Sequence, residues 1–127
     1  MSYLYVILGA VIGASARHFI FTIMAARSLH FPYHTLVVNI IGCLLVGFVA
    51  EFFALKSHLP LNARVFLVTG ILGSFTTFSS FALDAGLLIE KNEWLKSMIY
   101  MTSSVILGVA SYFLAVYITR LAVAPKF

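Results

Sequence analysis

Four long apolar runs, at about residues 4–25, 35–55, 64–89 and 97–119, constrain this chain more than any other feature. Each is close to the ~20 residues that a helix needs to cross the hydrocarbon core of a bilayer. In that medium every backbone N–H and C=O must be paired within the protein, so only helices and closed barrels span it. Barrel strands alternate apolar and polar residues. These runs are continuous, so helices are expected. Composition agrees: 62% of the 127 residues are hydrophobic and 9% are charged, against about a quarter charged in a soluble domain. The spans use most of the length, so residues 1–127 read as a single all-α transmembrane domain with no room for a catalytic head.

Met1–Ala16 carries no Lys or Arg ahead of its apolar run, so a retained first helix is expected rather than a secretory signal. Cys43 is the only cysteine and reads as a small packing residue. The net charge is +4, but the basic residues are scattered singly. They suit anchors at helix ends, against lipid headgroups, and not a nucleic-acid surface.

The first run holds Gly9 and Gly13, a G-x-x-x-G pair that permits close helix approach. Arg17 follows one turn on, so all three share a face. Arginine is costly inside a bilayer. Two readings stay open for it: a buried structural or electrostatic role, or a side chain that snorkels to the interface. His30 and His34 have a helical ligand spacing, but Pro32 lies between them and no Cys or carboxylate is near, which argues against a metal site there. The second run carries the stripe Asn39, Gly42, Cys43, Gly47 and Ala50. Asn39 is either a hydrogen-bonding link between helices or a group lining a polar pathway. Glu51 is expected at the headgroups.

The third run contains the oddest stretch, TGILGSFTTFSSFALD, from Thr69 to Asp84. Thr76, Thr77, Ser79 and Ser80 crowd together behind Gly70 and Gly73, and Phe75, Phe78 and Phe81 recur every third residue. Val65–Leu72 reads as ordinary helix, and the helical pattern resumes from Phe78. Between them we expect the third span to be broken mid-membrane, at about 73–77. A break frees carbonyls that must bind water, an ion or another chain. With no acidic residue close by, they suit a hard monovalent cation or water. The alternative is an unbroken helix whose hydroxyls bond back to preceding carbonyls. Hydroxyls beside the positive edges of the Phe78 and Phe81 rings suit a small anion that must also leave again. In the fourth run Tyr100, Ser104, Gly108 and Ser111 share a face. That face is either a hydroxyl track or small-residue packing.

Four spans leave both termini on one side. With Arg17 set aside, that side carries Lys56, Arg64, Arg120 and Lys126, and the other carries Arg27, Lys91 and Lys96. Orientation follows a Lys/Arg excess, and here there is almost none. Insertion both ways up is therefore expected, with an antiparallel homodimer whose twofold axis brings two copies of the break around one cation.

These residues resemble the Fluc/CrcB family of bacterial fluoride channels over nearly the whole chain. The resemblance rests on GAxxR (Gly13–Arg17), TLxVNxxGC (Thr35–Cys43), TGxLG (Thr69–Gly73) and TTFSSF (Thr76–Phe81). It implies a dual-topology antiparallel homodimer in the bacterial plasma membrane, with two fluoride pathways. It implies a structural Na⁺ at the dimer interface, held by the backbone carbonyls of Gly73 and Thr76. The fluoride pathway would take in Asn39, Thr77, Phe78, Ser79, Ser80, Phe81, Tyr100 and Ser104, with Arg17 in a vestibule. The chain departs from the family pattern at Ser80 (commonly threonine), Ser74 (glycine), Asp84 (glutamate) and Gly108 (serine). Some relatives pair as heterodimers with one incomplete subunit; Asn39, Phe78, Phe81 and Tyr100 are all present here.

Passive, fluoride-selective export follows as the expected function, lowering cytoplasmic fluoride that enters as HF. The chain carries no nucleotide-binding loop or catalytic constellation, so an enzyme is not expected. The rival is a small dual-topology, proton-coupled multidrug exporter, which needs an intramembrane carboxylate. Asp84 is the only candidate within the third run. A non-conducting scaffold would leave TTFSSF without a role.

Overall fold

The computed structural model describes residues 2–56 and 58–123. Lys126, counted above for orientation, lies outside them. Every regular element among the described residues is helical. Helix α1 is Ser2–Met24, extended by a 3₁₀ turn at Ala25–Ser28. Helix α2 is Tyr33–Leu55. Helix α3 covers 61–75, α4 is Phe78–Glu90 and α5 is Trp94–Val123. Four stretches are long and apolar enough to cross a membrane: Ser2–Ser28, Tyr33–Leu55, Leu61–Glu90 and Trp94–Val123. The chain is a multi-pass membrane protein.

The helices outrun the apolar runs that announce them. Helix α5 begins at Trp94 and continues to Val123, beyond the expected 97–119. A helix does not stop where hydrophobicity stops, because its hydrogen-bond ladder carries on into the polar interface. Trp94 and Arg120 are residue types that anchor there. Arg120 Nε also lies 2.7 Å from Glu51 Oε1, tying the ends of α5 and α2. Glu51 is thus held by a protein cation, where a headgroup contact was expected.

Helix α3 is less regular than its sequence suggests. Val65–Leu72 is π-helical, between short α-helical turns at Leu61–Arg64 and Gly73–Phe75. The i→i+5 turns widen the helix where α1 crosses it. A Cβ on Gly9 would stand 2.7 Å from the Gly70 Cα and 2.6 Å from the Phe66 carbonyl oxygen. Only hydrogen fits at that crossing. On the other side of the fold, α2 packs along α5. A small core forms where α4 meets α5: Ala85, Leu88 and Tyr100 are buried, against Phe31, Leu36, Phe81 and Met101. Much of the outer surface is apolar, including Ile7, Val11, Val105 and Val109.

Thr76 and Thr77 separate α3 from α4. Their backbones are extended, at φ −77°, ψ 156° and φ −150°, ψ 114°. The helical register set by α3 is lost there and started afresh by α4.

Overpacking the crossing is the direct test of the α1–α3 contact. Gly9→Val should cost at least about 1–3 kcal/mol, measured as a lowered thermal midpoint in detergent. An unchanged midpoint would mean that α1 does not lie on α3 as described.

Candidate functional site

The two extended residues decide where the site's polar groups point. In a continuous helix the Thr77 N–H would close on the Gly73 carbonyl, and the Ser80 N–H on that of Thr76. Both donors are diverted. Thr77 N donates to Asn39 Oδ1 at 2.8 Å, and Ser80 N donates to Thr77 Oγ1 at 3.1 Å. The second bond is an N-cap: a threonine just ahead of a helix satisfies an N–H that the first turn leaves open. The carbonyls of Gly73 and Thr76 are thereby released together.

Asn39 also donates from Nδ2 to the Thr77 carbonyl at 3.0 Å. One side-chain amide therefore pairs both backbone groups of one residue, as a neighbouring strand would. An amide nitrogen has two hydrogens, so one N–H of Asn39 stays uncommitted. Thr76 is fixed separately, its N and Oγ1 both donating to the Leu72 carbonyl at 3.1 and 3.0 Å. Arg17 Nη1 reaches the freed Thr76 carbonyl at 3.4 Å, so its guanidinium is turned into the protein and onto the gap.

A cleft of ≈ 430 Å³ opens beside the gap, between α2, α4 and α5. Of the residues expected along the pathway, Asn39, Thr77, Phe78, Phe81 and Ser104 line it, as does Thr76, whereas Ser79, Ser80 and Tyr100 do not. Ser104 Oγ is buried and has no hydrogen-bond partner. The Phe78 and Phe81 rings stand 5.5 Å apart, tilted by 39°. Phe81 is half-buried, whereas Phe78 is 80% exposed in the single chain. The Thr77 hydroxyl donates to Ser80 Oγ at 3.0 Å, which leaves the Ser80 proton free. Ser79 Oγ lies 3.3 Å from the same Thr77 oxygen. The cleft also meets Cys43, Gly108 and Tyr112.

Tyr100 sits apart from the cleft lining. It is fully buried, with its ring 5.3 Å from that of Phe81. Its hydroxyl donates to Asp84 Oδ2 at 3.1 Å, and Thr35 donates to the same oxygen at 2.6 Å. Asp84 thus joins α4 to α2 and α5. Sequence reasoning gave Thr35 no role beyond opening its motif, and considered Asp84 only as a departure from the family pattern and as the carboxylate a proton-coupled exporter would need. A signal was available: an acid inside a span is costly unless paired, and Thr35 lies one turn before Asn39 on the same face of α2.

These features define a small multi-pass helical membrane protein with two extended residues within its third apolar stretch and uncharged hydrogen-bond donors in a cleft beside them. The family model described as CrcB-like protein, Camphor Resistance (CrcB), matches residues 4–116. The chain is 46% identical over 121 residues to a fluoride-specific ion channel FluC from Granulibacter bethesdensis, covering 94% of this chain and 95% of that one. A protein of the same name from Rhodopseudomonas palustris is 44% identical over 122 residues, 94% and 98% of the two chains. One from Roseiflexus is 38% identical over 121 residues. The chain belongs to the CrcB family.

Replacing Asn39 with leucine would strand the Thr77 N–H and C=O in an apolar setting. Each buried group left unpaired costs about 1–3 kcal/mol, so Asn39→Leu should lower the detergent melting midpoint markedly. Asp84→Ala, which strands the buried Tyr100 hydroxyl, should do the same by a similar amount. A midpoint within error of the parent for either would remove that pairing from the account.

Proposed function

We propose that this protein is a passive, fluoride-selective channel that exports fluoride and lowers its cytoplasmic concentration. It catalyses no reaction. The observation that carries this is the buried, unpartnered Ser104 hydroxyl in a cleft that also holds the spare Asn39 N–H and the two phenyl rings. A buried polar hydrogen without a partner is costly. A small anion passing through would supply that partner. Donors that carry no full charge hold it loosely enough for it to move on. The relatives named fluoride-specific ion channels identify which anion.

In this reading fluoride sheds water as it meets Asn39, Ser104 and the ring edges of Phe78 and Phe81, while the Ser79 and Ser80 hydroxyls, outside the cleft lining, stay beside Thr77. Thr77 works mainly by placing these groups, since its backbone and hydroxyl are already committed. Tyr100 stiffens the wall behind Phe81. Arg17 lies on the carbonyl side of the gap, at a vestibule.

The functional unit is an antiparallel, dual-topology homodimer in the plasma membrane of a bacterial cell, with the gap at mid-membrane depth. The exposure of Phe78 and Gly73 in one chain supports a partner there. A structural Na⁺ is assigned to the carbonyls of Gly73 and Thr76, two of those that lose their helical donors at the gap; Arg17 already reaches that of Thr76. When bound, the ion would draw carbonyls of two chains together. The Asp84 side chain is engaged by Thr35 and Tyr100 on one oxygen, and the family assignment gives the multidrug-exporter alternative no support.

Purified protein in liposomes loaded with fluoride or chloride should release fluoride quickly and chloride not at all, followed by an ion-selective electrode. Equal release of both, or of neither, would defeat the proposal. Phe78→Ile and Phe81→Ile should each slow fluoride release about tenfold, if a ring edge contributes about 1.4 kcal/mol. Both variants should still elute at the parent's size.

A further inference from the structure

The donors assembled so far end partway along the cleft. Asn39 on α2 and Ser104 on α5 face the same space. One helical turn further along each helix come Cys43 and Gly108, and both line that space too. At this level α5 offers no side chain. Helix α2 offers the Cys43 thiol, half-buried, with its Sγ 3.4 Å from where a Cβ on Gly108 would stand. The sulfur therefore covers the face of the glycine. The remaining groups at that level are apolar, from Val46, Val105 and Val109. A turn beyond Gly108, Tyr112 lines the same wall.

We infer that Cys43 is a pathway residue, whose S–H receives the anion from the unpartnered Ser104 hydroxyl and passes it toward Tyr112; this rests on the fluoride reading above. Ser104 and Tyr112 are eight residues apart on α5, a little over two turns or about 12 Å. Without the thiol, a partly dehydrated anion would cross that distance between aliphatic walls with no donor. An S–H is a weak donor, which favours transit over capture. Asn39, with the same one-turn spacing on α2, begins the line that Cys43 continues. A Cβ at Gly108 would stand 3.4 Å from the sulfur, in ordinary contact with it.

Four variants test this in the liposome assay. Cys43→Ala should slow fluoride release about tenfold, and Cys43→Ser should stay close to the parent. Cys43→Ala combined with Gly108→Ser should recover most of the rate, because the hydroxyl then comes from α5 into the space the sulfur has left. Gly108→Ser alone should stay close to the parent, since its Cβ meets Sγ at ordinary contact and its hydroxyl adds a donor. A residue that only packs gives another order, with alanine tolerated, serine no better than alanine, and no recovery in the double variant. Parent-like release by Cys43→Ala, or a double variant as slow as Cys43→Ala, would overturn the inference. Because Cys43 is the only cysteine, a small methanethiosulfonate reagent should block the parent and leave Cys43→Ser untouched; block of both would also overturn it. A parent protein that passes no fluoride fails the functional reading itself, a result distinct from any ordering among the variants.

Discussion

Two hydrogen bonds between the Asn39 amide and the backbone of Thr77 hold open a gap that a bilayer would otherwise close. Lipid offers no partner to a stranded peptide group, so an isolated span this apolar would remain helical throughout. Asn39 removes that pressure by acting as a substitute peptide. Once Thr77 is satisfied from α2, the Gly73 carbonyl loses its donor, α4 can start in a new register, and the Thr77 side chain is left to cap it. The glycine at Gly42, three residues after Asn39, accommodates the Thr76 methyl against α2. The anchor and its clearance thus lie on one face of one helix.

Helix α4 is held at a second level by Asp84, whose Oδ2 accepts from both Thr35 and Tyr100. Thr35 and Asn39 are one turn apart on α2, so the same helix grips α4 at its start and near its middle. Ser97 adds a third link from α5, donating to the Ala85 carbonyl at 3.0 Å. With its rotation and its height both fixed, α4 presents Phe78 and Phe81 in a set direction. Ring edges can favour an anion only if they do not turn away from it. The buried polar network therefore acts on the rings by placing α4, and Tyr100 also packs directly on Phe81.

Much of this was legible in the residues. Continuous apolar runs imply spanning helices because the medium allows little else, and the hydroxyl-rich stretch after Gly73 is conspicuous for the same reason. The particular pairings were not legible. Asn39 as a link and Asn39 as a pathway donor differ by which of its hydrogens is engaged, and the structure uses one and spares the other. The π-helical turns at Val65–Leu72 left no mark in an ordinary apolar sequence, since they answer to the crossing with α1. The structural role of Asp84 was not legible because its partners lie 49 and 16 residues away. A single carboxyl gives no sequence signal of which hydroxyls it will meet.

A gap inside a span does more than free individual groups. Each helical segment has a partly negative C-terminal end and a partly positive N-terminal end. An unbroken helix keeps both ends at its termini, whereas the gap at Thr76 and Thr77 places one of each within the third apolar stretch. The end of α3 presents carbonyls, and the cation that reaches them is the Arg17 guanidinium. The start of α4 presents amides and the capped cluster of hydroxyls, and it borders the cleft. Arg17 does not line that cleft, so the fixed charge stays on the carbonyl side and only dipoles face the other. The same two residues can therefore serve the proposed cation and the proposed anion without the ions competing. Opposite polarity on the two sides of the gap follows from the direction of the peptide bond, and side chains then decide how strongly each side binds.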